Sequence, residues 1–200
     1  GKLTIGGTGS LSINEPYVSY GSAGIYAGEI VMNSGNVEVV TGGEGVGFYS
    51  VLANTYILGN EAGNGNITIN GGKLKAIING GDSRDSEYNK GAALCAYGKL
   101  TVNDGTITAS MGDTAGSSYG VLTGGDFLMK NGSLTTTSGK AGLYSSGMEC
   151  GSNFEIKGGT VNAVGGCSGF GKYGYGIIVF GDLTASGGKI WATGDRKSVV

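Results

Sequence analysis

The sequence predicts an all-β fold: a right-handed single-stranded parallel β-helix, or solenoid, of about seven coils with three short strands each, spanning residues 1–200 as one domain. Three observations predict it. Glycine occupies 44 of 200 positions while proline occurs once, so glycine has a periodic structural role without the proline of collagen. One ten-residue template recurs without gaps. Around its glycine, apolar and polar residues alternate with the period of a strand that buries one face.

The template is clearest in Ile67-Thr-Ile-Asn-Gly-Gly-Lys-Leu-Lys-Ala76, Leu100-Thr-Val-Asn-Asp-Gly-Thr-Ile-Thr-Ala109 and Phe154-Glu-Ile-Lys-Gly-Gly-Thr-Val-Asn-Ala163. Aligning the remainder on its second turn residue places Gly9, Gly35, Gly72, Gly105, Gly132, Gly159 and Gly188 in one column. The intervals, about 26 to 37 residues, lie in the solenoid range.

The first strand of each coil carries Ile30, Ile67, Leu100, Phe127, Phe154 and Leu183 five residues before that glycine. Three before it stand Met32, Ile69, Val102, Met129, Ile156 and Ala185, with Ile5 displaced by one residue in the first coil. The residue ahead of the glycine is Ser34, Gly71, Asp104, Asn131, Gly158 or Gly187, types that accept a sharp corner. The second strand then carries Leu11, Val37, Leu74, Ile107, Leu134, Val161 and Ile190.

A weaker third strand is expected around Gly24-Ile25, Gly47-Phe48, Ala93-Leu94, Gly120-Val121, Gly142-Leu143 and Gly176-Ile177. Coils differ mainly in the connection before this strand, and such inserts collect on one face of a solenoid. Extra residues near Leu52 to Asn64 and Ser145 to Gly151 are expected to follow the third strand. At about 4.8 Å per rung the rod is on the order of 30 Å long. Stacked coils pair each strand above and below, which isolated hairpins of this length do not. The right hand follows from the rule for parallel crossovers.

Composition narrows the function classes. A net charge of -2 with scattered Lys and Arg offers no basic stripe for nucleic acid, and no apolar run is long enough for a spanning helix. No membrane insertion is expected. His is absent, and Cys95, Cys150 and Cys167 show no metal-ligand spacing, so no zinc site and no cofactor is expected. The cysteines read as small buried hydrophobes, with a Cys150–Cys167 disulfide open to an oxidising compartment.

Leu100-Thr-Val-Asn-Asp-Gly-Thr-Ile-Thr-Ala109 followed by Ser118-Tyr-Gly-Val121 resembles the glycine-rich parallel β-helix repeats of Gram-positive bacterial surface proteins, many of them carbohydrate-binding or adhesin-like. The resemblance covers nearly the whole chain and lies in coil-building residues. It implies secretion and display at the cell surface, with a polysaccharide or a cell-surface glycoprotein as partner. Patterned sequence from Leu3-Thr-Ile5 to Arg196-Lys-Ser-Val-Val200 is expected to belong to a longer surface protein or to meet another copy end to end, since uncapped rungs are adhesive edges.

Enzymes built on a β-helix carry their catalytic groups on one outer face. The outward row three residues after the turn glycine reads Ser12, Glu38, Lys75, Thr108, Thr135, Asn162 and Trp191. No such row puts two carboxylates on adjacent rungs, as glycoside hydrolysis requires, so no catalytic residue is expected. Glu38–Lys75 and Lys99–Asp126 are expected as surface ion pairs. The acidic loop Asp82-Ser-Arg-Asp-Ser-Glu87 lacks a calcium-loop pattern, and no metal site is assigned.

Aromatics carry the functional expectation. Tyr17, Tyr20, Tyr88, Tyr119, Tyr173 and Tyr175 are placed in the connection between second and third strands, and Trp191 faces outward near the end. Aromatic faces beside amides and hydroxyls suit sugar rings and protein contacts alike. The expected function is a non-catalytic extracellular module binding glycans or a surface partner through these residues. The alternatives are a structural spacer or a β-helix polysaccharide lyase or hydrolase.

Overall fold

A computed structural model describes residues 1–16, 23–42, 48–53, 56–57, 60–61, 64–80, 90–167 and 174–195. The described residues form a β-solenoid with no helix. Its coils are β1 (Lys2–Ile5), β2 (Ser10–Glu15) and β3 (Ala23–Ala27), then β4 (Glu29–Met32), β5 (Asn36–Thr41) and β6 (Phe48–Ala53). A short antiparallel pair, β7 (Tyr56–Ile57) and β8 (Asn60–Glu61), follows. The rod resumes with β9 (Ile67–Ile69), β10 (Lys73–Ile78) and β11 (Lys90–Ala96), and β12 (Leu100–Val102), β13 (Thr106–Met111) and β14 (Ser117–Thr123). Next come β15 (Phe127–Met129), β16 (Ser133–Ser138) and β17 (Ser145–Cys150), then β18 (Phe154–Ile156), β19 (Thr160–Val164) and β20 (Gly174–Val179). Strands β21 (Leu183–Ala185) and β22 (Lys189–Thr193) begin a seventh coil.

First strands stack in a parallel seven-stranded sheet, second strands in another, and third strands in a six-stranded one. The described chain therefore makes six complete coils and two strands of a seventh, close to the expected number. Every strand of an inner coil is paired on both sides, which satisfies backbone groups that a lone coil would leave open.

The glycine alignment gives the observed register. Ile30, Ile67, Leu100, Phe127, Phe154 and Leu183 are rung partners, and so are Val37, Leu74, Ile107, Leu134, Val161 and Ile190. Apart from the exposed Leu183, these rows meet the inner residues of the third sheet in one continuous core. Each fully buried aliphatic contributes about 1.5–3 kcal/mol.

Corner glycines hold the first and second sheets together. Gly72, Gly105 and Gly132 have φ of 87, 108 and 88°, the left-handed region that a side chain strains. Their carbonyls each accept an N–H from the next coil, as Gly72 does from Thr106 at 2.9 Å. In the first coil, Gly9 is in rung register with Gly35, but the positive φ of 106° belongs to Gly7. One extra corner residue there explains the displaced Ile5, which still pairs with Met32.

The third sheet corrects two expected strand positions. The partner of Ile25 is Val51, not Phe48, and the partner of Val121 is Met148, not Leu143. Ser145 to Cys150, expected as an insert, is the third strand of its coil. The reason is a local shift in alternation. Ala93 and Leu94 are consecutive yet both lie in the main core, while Ala92 and Cys95 face outward into a second, smaller cluster. The first member of that inward pair must be small, because a Cβ on Gly147 would meet the Val164 backbone nitrogen at 2.6 Å.

All three cysteines are free; Cys95 and Cys150 are buried and Cys167 is half-buried. The ion pairs Lys75–Glu38 and Lys99–Asp126 form as expected. The acidic loop from Asp82 to Glu87 lies outside the described residues.

Candidate functional site: an aromatic trough on the third sheet

Because alternation shifts at the inward pair, each third strand carries two outward-facing positions, several of them buried in the second cluster. The first gives a row of Ala23, Tyr49, Ala92, Tyr119, Ser146 and Tyr175 on successive rungs. The second gives Tyr26, Leu52, Cys95, Leu122, Glu149 and Ile178. In the first row a tyrosine recurs every second rung with a small residue between, so neighbouring rings do not collide. The outer face of this sheet is thus mainly apolar, unlike the outer face of the second sheet.

Some members of these rows line two grooves. One, of about 530 Å³, is lined by Ser117, Tyr119, Leu143, Tyr144, Glu149, Tyr175, Ile178 and Phe180. The other, of about 270 Å³, is lined by Tyr49, Cys95, Tyr97, Leu122 and Glu149 with neighbouring backbone. Glu149 lines both, so the grooves adjoin at that residue. Tyr119, 5 % exposed, lies deep, whereas Tyr144 at 46 % and Phe180 at 70 % stand up as rims.

Burial raises the Tyr119 phenol to about 12, reinforced by the Glu149 carboxylate, while a hydrogen bond with the Ser117 hydroxyl acts in the opposite sense. Burial likewise pushes the Tyr49 phenol up, with Cys95 and the Tyr97 hydroxyl, 3.5 Å away, adding to it. Near neutral pH both phenols keep their protons and can donate and accept hydrogen bonds. The Cys95 thiol is raised by burial alone and stays protonated, an inert part of the floor. Glu149 is the single carboxylate among the described lining residues of either groove, and no Lys or Arg is among them.

The sequence-predicted residues divide into three groups. Tyr119 and Tyr175 do meet in the larger groove, but they belong to strands β14 and β20 and not to the connections before them. Those strands start ahead of the pairs Gly120-Val121 and Gly176-Ile177, which accounts for that correction. Trp191 is 53 % exposed and pairs with Asn162 on the second sheet, so it is not part of the trough. Tyr17, Tyr20, Tyr88 and Tyr173 lie outside the described residues.

Tyr49, Tyr97, Tyr144, Glu149 and Phe180 are site residues that the sequence reading missed. The available signal was local: Tyr49, Tyr119 and Tyr175 each stand one residue before a small-then-aliphatic pair, Ser50-Val51, Gly120-Val121 and Gly176-Ile177. Aligning on that pair finds the row.

A further groove of about 300 Å³ on the second sheet is lined by Glu38, Lys73, Lys75, Thr106 and Thr108 among others. Its charges are largely neutralised by the Lys75–Glu38 pair. Among the described residues no group of His, Cys, Asp or Glu is arranged to hold a metal, and no helix is long and apolar enough to cross a membrane. Set against family models, curated proteins and solved structures, the chain has no match.

Proposed function

We propose that the chain is a non-catalytic, extracellular surface module that binds glycans through the outer face of its third sheet. The observation that carries this reading is the larger groove, which Tyr119, Tyr144, Tyr175 and Phe180 line together with Glu149. Sugar rings offer apolar C–H faces and a girdle of hydroxyls. Aromatic side chains take the former, while a carboxylate and protonated phenols take the latter. Strands β14, β17 and β20 carry Tyr119, Glu149 and Tyr175, which lowers the ordering cost of binding. Binding, not hydrolysis, is favoured because glycosidases of the common type employ a pair of carboxyl groups, and the described lining supplies Glu149 alone.

The test is a glycan-array screen of the purified chain beside a Tyr175→Ala/Phe180→Ala variant, both checked for β-structure by circular dichroism. Signal on one glycan class that falls at least ten-fold in the variant supports the reading; a loss of about 1.4 kcal/mol corresponds to that factor. Equal signal from the two proteins moves the site elsewhere. Silence from a folded chain across the array favours a structural spacer.

A further inference from the structure

We propose that copies of this chain join head to tail, with β21 and β22 of one copy receiving β1 and β2 of the next. In the first and second sheets β1 and β2 have a strand partner on one side only, and so do β21 and β22. The unpaired N–H and C=O groups along such edges are templates for a further strand. The rungs of both sheets are parallel at either end, so head-to-tail stacking is the arrangement that continues them. No third-sheet strand is described in the seventh coil, and the joint is therefore made by the first and second sheets.

The side chains at the two faces are complementary. Leu183 stands in the column of Leu3 and Ala185 in that of Ile5. Ile190 likewise stands in the column of Leu11 and Ala192 in that of Ile13. Inner members of all four columns are buried, whereas Leu183, Ala185 and Ala192 at one face and Leu11 at the other are exposed. Joining sets Leu183 on Leu3 and Ile190 on Leu11, and it sets the small Ala185 and Ala192 on Ile5 and Ile13. Each contact removes apolar surface from water at both faces.

Charge selects the partner. The column just ahead of the first strands reads Lys2, Glu29, Asn66, Lys99, Asp126, Asn153 and Asp182. Within it Lys2 pairs with Glu29 at 3.2 Å and Lys99 with Asp126 at 4.0 Å. Asp182 is exposed and has no ion pair among the described residues. The next place in that column falls to Lys2 of the following copy, whose ammonium has donors enough for both Glu29 and Asp182. Opposite charges on neighbouring strands attract and like charges repel, so this pair fixes both register and direction. A contact between two different faces does not close on itself, and copies add to a filament.

Sedimentation velocity of the purified chain over a range of concentrations tests this, with Trp191 as reporter. Trp191 is the only tryptophan, is 53 % exposed, and stands in the column of Ser12. Mass is expected to rise with concentration past two copies, and the Trp191 emission to shift to the blue in step. Asp182→Lys and Lys2→Asp, each checked for β-structure by circular dichroism, should each associate about five-fold more weakly. Mixing the two variants should restore joining, because each then meets the opposite charge on the other. If Lys2→Asp does not fold, the weakening in Asp182→Lys alone decides. A chain that stays monomeric throughout, a species that stops at two copies, variants that associate as wild type does, or a mixture no better than its components overturns the proposal.

Discussion

The rings of Phe127 and Phe154 lie one rung apart inside the rod, 4.7 Å between centroids and tilted by 35°. They are the largest fully buried side chains, and they continue the row that Ile67 and Leu100 begin. Truncating Phe154 to Ala leaves a cavity that its stacked neighbours close only in part, at a cost of about 3–5 kcal/mol. Leu183, the next residue of that row, is 53 % exposed, so Leu183→Ala should cost a fraction of that. Urea denaturation of both variants checks the contrast; equal losses would mean that the last rung is as well packed as the middle.

Gly120 is fixed by its surroundings. A Cβ there would stand 2.6 Å from the Gly147 carbonyl oxygen and closer still to the Thr136 hydroxyl, which itself donates to that same carbonyl at 2.5 Å. The hydroxyl cannot turn away without losing its bond. Gly120→Ala is therefore expected to destabilise by about 1–3 kcal/mol through overpacking. Ala93, its rung neighbour, already carries a buried Cβ, so Ala93→Gly should cost no more than about 1 kcal/mol. Thermal melts of the two variants compare them directly.

Alkaline stability follows from Tyr119. Its phenol titrates near 10 when unfolded and at about 12 in the fold, so the folded state favours the protonated form. The associated stabilisation, on the order of 2 kcal/mol, is complete below pH 10 and is lost as pH rises through 12. Tyr49 adds in the same direction. Tyr119→Phe, which cannot ionise, is expected to lose less stability than wild type between pH 9 and about 11.5. Phenolate absorbance recorded during the same titration reports the ionisation. A wild-type chain whose tyrosines all titrate near 10 while still folded would contradict the buried position of Tyr119.

Much of the rod was legible from sequence because its determinants are local and repeated. Gly72, Gly105 and Gly132 mark the corners, and the aliphatics two after and three before them mark two of the three sheets. The third sheet was less legible for a physical reason. Ala93 and Leu94 both point inward, so the period-two pattern breaks in mid-strand, and pairs such as Gly142-Leu143 imitate the true pair Gly147-Met148. Counting from Gly142-Leu143 is how Tyr144 and Glu149 were overlooked, whereas Tyr119 was misplaced because its strand starts at Ser117, ahead of the correctly located pair Gly120-Val121. The trough also draws on five coils separated by most of the chain. No single segment contains it, and only stacking brings Tyr49 and Tyr175 into one row.

An asparagine ladder beside the first sheet offers a sharper test of how rungs are tied. Asn70 Nδ2 donates to Asn33 Oδ1 at 2.8 Å, and Asn103 Nδ2 donates to Asn70 Oδ1 at 2.6 Å. The next rung places Lys130 in that column, its backbone N–H on the Val102 carbonyl just as that of Asn103 is on Ile69. The ladder therefore ends at Asn103 Oδ1, a buried oxygen without a hydrogen-bond partner. Removing the middle amide by Asn70→Ala strands groups on both sides and should cost about 1–2 kcal/mol. Asn103→Ala breaks one bond but also removes the unsatisfied oxygen, so its cost should be smaller. Lys130→Asn supplies the missing donor at the right rung and should stabilise by about 0.5–1.5 kcal/mol. Chemical denaturation of the three variants gives the ranking. If Lys130→Asn proves neutral while Asn70→Ala is costly, the ladder stabilises the rod but its end is already satisfied by solvent.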